Sequence, residues 1–342
     1  MYWELKMGDK PEVIISGFAD EGPVDKKAES QLTMLSALGM EYYSLRFVDV
    51  GQGVKNLMQL TKREVRRLQK LHGEFGIKVS SIGSPIGKVK LLDVEDGSNN
   101  AYIPFDRYLK TQVRRAVDLA LEFDTKLIRG FSFYHPRGTK PEDHLDQAAD
   151  QLARIAELCQ QAGVFFGLEV EANLIGQNGR LLQKLYRKVA NPHLYLIFDG
   201  GNLSSQNLTP VQTFAEYRAM RPGIGWMHIK DYQIDPGLVW QGHVDEERLK
   251  NFVPADQGDS GHEAILRDFA PRIPALQRKL RRQGIPGVFF DLEPHLKGGG
   301  QFGGFSGVDG FGVALRALLN VLDYAGIGYK LSDYGDIKRQ KA

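Results

Sequence analysis

The sequence predicts an α/β protein folded as a single (β/α)₈ TIM barrel. Three observations carry that prediction. Short apolar runs alternate with amphipathic stretches eight times along 342 residues. The stretches between consecutive runs carry helical periodicity, so the crossovers are helical and the sheet is parallel. The glycine fingerprint of an open dinucleotide-binding sheet is missing after the first run, where "GFADEGP" stands instead. Eight such units between residues 12 and 330 fit a closed barrel. Residues 1–11 then form an N-terminal extension, about 232–258 an insert, and 331–342 a C-terminal tail.

Strands are expected at 12–19 ("EVIISGFA"), 41–48 ("EYYSLRFV"), 77–84 ("IKVSSIGS") and 125–134 ("TKLIRGFSFY"). Four more follow at 164–170 ("VFFGLEV"), 194–202 ("LYLIFDGGN"), 224–231 ("IGWMHIKD") and 285–293 ("IPGVFFDLE"). The helices expected between and after them cover 24–39, 61–76, 105–123, 141–163, 179–190, 209–220, 260–284 and 308–326. Several carry end signals in the sequence. Pro141 and Pro210 sit at first turns, and Gly39, Gly76 and Gly163 close the helices that they follow. The helix over 260–284 is open to a break at Pro271 or Pro274.

Composition narrows the class. Hydrophobic residues make up 42% and charged residues 25%, an ordinary globular balance. The net charge of +2 gives no basic face for nucleic acid. The single Cys159 excludes an internal disulfide and a cysteine-rich zinc site. It fits a reducing compartment, and the first residues, "MYWELKMGDKPEV", do not read as a signal peptide. No run reaches the ~18 apolar residues that a membrane span needs. A cytoplasmic location and no membrane partner are therefore expected.

Polar groups collect where strands end. Strand five ends in Glu169 and Glu171, strand six in Asp199, strand seven in His228 with Lys230 and Asp231 behind it, and strand eight in Asp291 and Glu293. Barrel enzymes place their chemistry at these C-terminal ends. A carboxylate in an apolar interior costs several kcal/mol unless it is paired or bound to a cation. Residues two apart face the same side of a strand, so Glu169 and Glu171 differ mainly in depth. Two readings fit. One is a divalent metal on Glu169, Asp199, His228 and Glu293. The other is a network of strand-end salt bridges with Arg129 and Lys230 as the cations. Three carboxylates and one imidazole favour Mn²⁺ or Mg²⁺, with Co²⁺ allowed, over a structural zinc.

The runs "FGLEVEAN", "LIFDGGN", "WMHIKD" and "FFDLEPHL", in that order at strands five to eight, resemble the xylose isomerase-like barrels of the sugar phosphate isomerase/epimerase type. That superfamily holds ketohexose 3-epimerases, inosose dehydratases and isomerases, and endonuclease IV. "SSIGSPIGKV" (80–89) and "IRGFSFY" (128–134) also resemble one of its subgroups. The resemblance implies a divalent metal, most often Mn²⁺, on Glu169, Asp199, His228 and Glu293. It implies that Glu169 and Glu293 move protons, one removing the proton alpha to a carbonyl and the other returning it on the opposite face. The metal would hold the carbonyl and the neighbouring hydroxyl and stabilise an enediolate. The expected activity is an isomerase or epimerase of a keto-sugar or related polyol.

The chain departs from the epimerase pattern at two sugar-contacting positions. Asn202 stands where those enzymes carry His, and Ile234 where they carry Arg. A second branch, the alpha subunit of C-glycoside deglycosidases, is also compatible. There a 3-keto glycoside loses its aglycone by elimination after the same proton removal, which would make the protein a lyase. A third alternative is a non-catalytic sugar-binding barrel. Endonuclease chemistry needs more metal histidines than His228 at strand ends. A homo-oligomer or a small partner subunit is compatible with the resemblance.

Further candidates line the loops. His135 in "FSFYHPRG" is either a catalytic acid or base facing the metal or a loop residue. Lys88, Glu171, Asn173, Lys230, His262 and His295 are candidate substrate contacts, with Glu171 and Asn173 aimed at hydroxyls. His295 could instead support Glu293. His72, His144 and His193 are expected at the surface and Trp226 in the core. "GGGQFGGFSG" (298–307) lacks the Lys-Ser/Thr pair of a nucleotide loop. It reads either as a weak backbone phosphate site or as a packed loop that turns Phe302 and Phe305 toward the site mouth.

Overall fold

The structure, a computed structural model, describes residues 10–297 and 304–340. Eight parallel strands form the sheet: β1 (Glu12–Gly17), β2 (Tyr42–Leu45), β3 (Lys78–Ile86), β4 (Leu127–Gly130), β5 (Phe165–Glu169), β6 (Leu194–Asp199), β7 (Ile224–Ile229) and β8 (Phe289–Leu292). A short β9 (Gly328–Tyr329) pairs with the outer side of β1. The order is β9-β1-β8-β7-β6-β5-β4-β3-β2, and the paired strands are parallel throughout. All eight expected strands are present; β3 runs two residues past its expected end, and the others are shorter than their apolar runs.

β1 and β2 lie side by side where the sheet curls back on itself. Their seam is joined by side chains. Ser80 Oγ on β3 lies 2.6 Å from Ser16 Oγ on β1 and 3.2 Å from Ser44 Oγ on β2. Ser44 in turn reaches Ser81 at 2.7 Å. Four serines thus take interior positions that aliphatic residues normally fill in such barrels.

Eight helices wrap the sheet: α1 (Ala28–Ala37), α2 (Lys62–Phe75), α3 (Arg114–Glu122), α4 (Leu145–Gln161), α5 (Gly179–Val189), α6 (Pro210–Met220), α7 (Ile273–Arg282) and α8 (Gly307–Ala325). Their ends obey local chemistry. Thr61 and Glu64 form a capping box on α2, and Thr209 and Gln212 form one on α6. The path into α3 starts at Phe105–Tyr108 and passes through a π turn at Leu109–Val113. The stretch expected as one helix over 260–284 is two, His262–Phe269 and α7, joined by a 3-10 turn that holds Pro271. Pro lacks the N–H that a continuous helix would need there.

The insert is more ordered than its composition suggests. Asp231–Tyr232 pairs antiparallel with Phe252–Val253, so 233–251 forms a closed loop over the barrel mouth. The tail contains a helix, Tyr334–Gln340. Residues 1–9 of the expected N-terminal extension, and Phe302 within the glycine-rich loop, lie outside the described residues. No described helix is long and apolar enough to cross a membrane.

Trp226 is core, at 1% exposure, and it fixes a glycine on the neighbouring layer. A Cβ added to Gly167 would stand 2.0 Å from the Trp226 ring. Gly167→Ala should lower unfolding stability by about 1–3 kcal/mol, read as a lower denaturant midpoint at unchanged slope. An unchanged midpoint would show that the ring has room to move.

Candidate metal centre and its cavity

Four donor residues converge at the C-terminal end of the sheet. Glu169 ends β5, Asp199 ends β6, His228 lies on β7, and Glu293 directly follows β8. All four are buried, and one donor atom from each lies within 4.8 Å of the others. Strand register places them: Asp199 pairs with His228, and His228 pairs with Asp291. His228 Nδ1 faces the centre, 3.2 Å from Glu169 Oε1 and 3.7 Å from Glu293 Oε2. Its Nε2 faces away, 3.7 Å from Asp291 Oδ2. Asp291 therefore sits below the centre, toward the seam serines, with Ser80 Oγ at 3.5 Å.

Each carboxylate is held on its outer side. Asp199 Oδ1 accepts from the Asn202 backbone N–H at 3.0 Å, capping the short helix Gly200–Ser204. The Asn202 side chain donates to Glu169 Oε1 at 3.1 Å and to the Val170 carbonyl. Arg46 at the end of β2 donates to Glu293 Oε1 at 2.6 Å, and it also holds Asp20 and Glu21, each at 3.1 Å. Arg129 Nη1 lies 3.5 Å from both Glu169 and Glu293. The Arg46 and Arg129 guanidinium groups sit 4.4 and 4.8 Å from the Phe18 ring, whose edge meets His228. Both cations thus lie over one aromatic ring.

Charge decides the acid strengths. Burial opposes ionisation at Glu169, but protonated His228 beside it brings the carboxyl down to about 2. Glu293 is also held well below the usual range, because Lys230, His295 and Arg46 outweigh its burial. At Asp199 burial wins over Lys230, and the carboxyl is pushed up to about 7. Burial likewise raises Asp291. His228 is raised, since Glu169 outweighs the effect of burial.

The chamber crowds carboxylates and cations together: Asp20, Glu21, Glu169, Glu171, Asp199, Asp291 and Glu293 meet Lys26, Arg46, Lys88, Arg129 and Lys230, with His228 and His295 beside them. His228 Nδ1 points into the cluster and is buried without a hydrogen bond, and Asp199 Oδ2 has no hydrogen bond apart from its ion pair with Lys230. The four residues thus fit a divalent cation, and the salt-bridge network foreseen around Arg129 and Lys230 coexists with the cluster. A second group, Glu21, Glu293 and His295, also converges, but Arg46 already pairs with both of its carboxylates.

Above the cluster lies a cleft of about 950 Å³ of empty space, mouth included. Glu293, Lys230, Arg46, Arg129 and Asn202 form its polar floor. Phe47, Phe131, Val244, Leu249 and Phe252 supply apolar walls, the last three from the insert. Asn173 clamps that insert, donating to the Val244 carbonyl at 3.0 Å and accepting from its N–H at 2.9 Å. Arg248, buried, reaches Asn207 and the carbonyls of Leu238 and Val239.

The other sequence candidates divide. Lys88 and Glu171 line the cleft as a pair at 3.3 Å. His295 lines it too, its Nδ1 2.7 Å from Glu21 and its backbone N–H on the same carboxylate. This double hold on one acid accompanies its left-handed φ of 51°. His135 stacks against His144 and contacts Pro136 and Thr139, apart from the cleft, because the chain turns away after Tyr134. His262 is buried behind Asp199, bonded to Asp231 and the Ala255 carbonyl; like Glu169, Asp199 and His228, it does not line the cleft itself. His72, expected at the surface, is half-buried and bonds the Tyr43 hydroxyl at 2.7 Å, and burial takes it down to about 4. Arg46, Glu21 and Phe18 were not singled out from the sequence. The rule that found Glu169 also finds Glu21 and Arg46, because "ADE" follows β1 and "LRF" closes β2.

The fold and the strand-end cluster define a parallel α/β barrel with a polar axial site. A family model described as the xylose isomerase-like TIM barrel matches residues 32–302, and the chain belongs to that family. No curated protein matches it by sequence. Among solved structures it is similar to the probable 3-DHS dehydratase AsbF from Bacillus anthracis, at 16% identity and TM-score 0.58, covering 90% of this chain and 99% of that one. It is similar to a xylose isomerase-like TIM barrel protein from Mycobacterium smegmatis in complex with magnesium, at 16% and 0.60, covering 94% and 99%. L-ribulose 3-epimerase gives 14% and 0.59, covering 92% and 95%. At these identities the likeness shows the fold.

Arg46 holds three buried acids at once. Arg46→Met should cost about 3–5 kcal/mol of stability, because it strands those charges, as read by urea unfolding. A cost below ~1 kcal/mol would show that the acids are neutral or repaired by water.

Proposed function

We propose that this protein is a divalent-metal-dependent enzyme that removes a proton alpha to the carbonyl of a keto-sugar or related polyol, as an isomerase or epimerase. The observation that carries this reading is the buried Glu169, Asp199, His228, Glu293 cluster under a polar-floored cleft. Mn²⁺ is our choice of ion, with Mg²⁺ or Co²⁺ as alternatives. A bound ion would supply a Lewis acid for two adjacent substrate oxygens.

The chain's own residues do the rest. Glu169 and Glu293 approach His228 Nδ1 from two strands, and in this reading they serve opposite faces of the reacting carbon. One takes the proton and the other returns it. Arg129 lies between them and Lys230 beside Glu293, where their charge would stabilise the enediolate oxygens. Lys88, Glu171, Asn173 and His295 would meet the remaining hydroxyls. Asn202, in place of a substrate-binding His, is spent on Glu169.

The apolar cleft wall favours a second reading. Val244, Leu249 and Phe252 offer little to a free sugar but would accept an apolar substituent. The same proton removal from a 3-keto glycoside, followed by loss of its aglycone, would make the protein a lyase.

Incubation with Mn²⁺ in D₂O, with ketohexoses and 3-keto glucosides, separates the two. Deuterium in a recovered sugar supports epimerisation, and release of the aglycone supports elimination. Glu169→Gln and Glu293→Gln should each lower turnover by ~10²–10⁴. Wild-type exchange in either variant would remove that glutamate from the mechanism. Asp199→Ala and His228→Ala should lose bound metal by elemental analysis. Retention of wild-type metal by both would disprove the ligand set.

A further inference from the structure

Two of the three donor carboxylates, Asp199 and Glu293, each have one oxygen already taken. Asp199 Oδ1 holds the Asn202 N–H, and Glu293 Oε1 holds Arg46. Only Asp199 Oδ2 and Glu293 Oε2 remain for the centre. The Lys230 ammonium sits on both, at 3.0 Å and 2.7 Å. The lysine is buried, and its stem has a prepared path. A Cβ added to Gly201 would stand 2.7 Å from Lys230 Cγ, so the glycine after Asp199 keeps that path open.

We propose that Lys230 is a tethered competitor for the divalent ion, an inference that rests on the metal reading above. A divalent ion needs these oxygens at ~2.0–2.2 Å. An ammonium already bonded to the same two atoms is repelled at that range by the like charge, and little water lies between to screen them. Ion and ammonium therefore alternate. Without metal, Lys230 keeps the carboxylates from repelling one another. On loading it withdraws from them into the cleft that it already lines. The device makes the ion exchangeable, and it ties metal loading to the arrival of a positive group among the substrate contacts.

The test is Mn²⁺ affinity by chelator competition for wild type, Lys230→Met and Lys230→Gln. Both variants should bind at least ~10-fold more tightly, since a like charge beside the ion has gone. Equal or weaker binding, with wild-type binding intact, would overturn the competitor and leave the metal reading standing. No binding of Mn²⁺, Mg²⁺ or Co²⁺ by any of the three would sink the metal reading, and the competitor with it. A measurement on wild type alone covers variants that fail to fold. Acylation of Lys230, followed by mass spectrometry, should be faster with Mn²⁺ than after chelation. An equal or slower rate would contradict displacement.

Discussion

Carboxylates are buried at the C-terminal ends of the strands, and the surrounding structure is organised by the need to keep their charge tolerable. Asp20, Glu21, Glu169, Asp199, Asp291 and Glu293 are each at most 3% exposed. Unpaired, such groups would lose their charge or unfold the barrel. Arg46, Arg129 and Lys230 enter the same chamber and divide the acids among themselves.

Packing follows from this electrostatic core. Phe18 packs against two guanidinium groups, and Glu293 Oε1 lies between them. The glycine pair after Asp199 lets His262 and Lys230 approach that acid closely: a Cβ at Gly200 would stand 3.1 Å from His262 Nε2. The insert completes the chamber from above. Asn173 and Arg248 clamp it by satisfying backbone groups that a roofing loop leaves open.

Much of this was legible in the sequence, because strand periodicity is strong and the strand-end rule is simple. It found the eight strands and the four converging donors. It was weaker for residues held by loops. His135 follows a strand, but the chain reverses after Tyr134, and nothing in "FYHPRG" gives the direction of that turn. His262 reads as an arm into the site, yet Asp231 captures it, a pairing between residues 31 apart in the chain. Arg46 was legible in principle. As a lone cation in "SLRFVD" it gave no hint of three acids arriving from β1 and β8. The insert's two-stranded base was hidden because each strand is two residues long.

The central claim is that one divalent ion sits among Glu169, Asp199, His228 and Glu293. Anomalous scattering from a crystal grown with Mn²⁺ tests it most directly. A single strong peak is expected, within bonding distance of His228 Nδ1 and one oxygen of each carboxylate. No peak there, or the Lys230 ammonium still bridging Asp199 and Glu293 at saturating Mn²⁺, would contradict it.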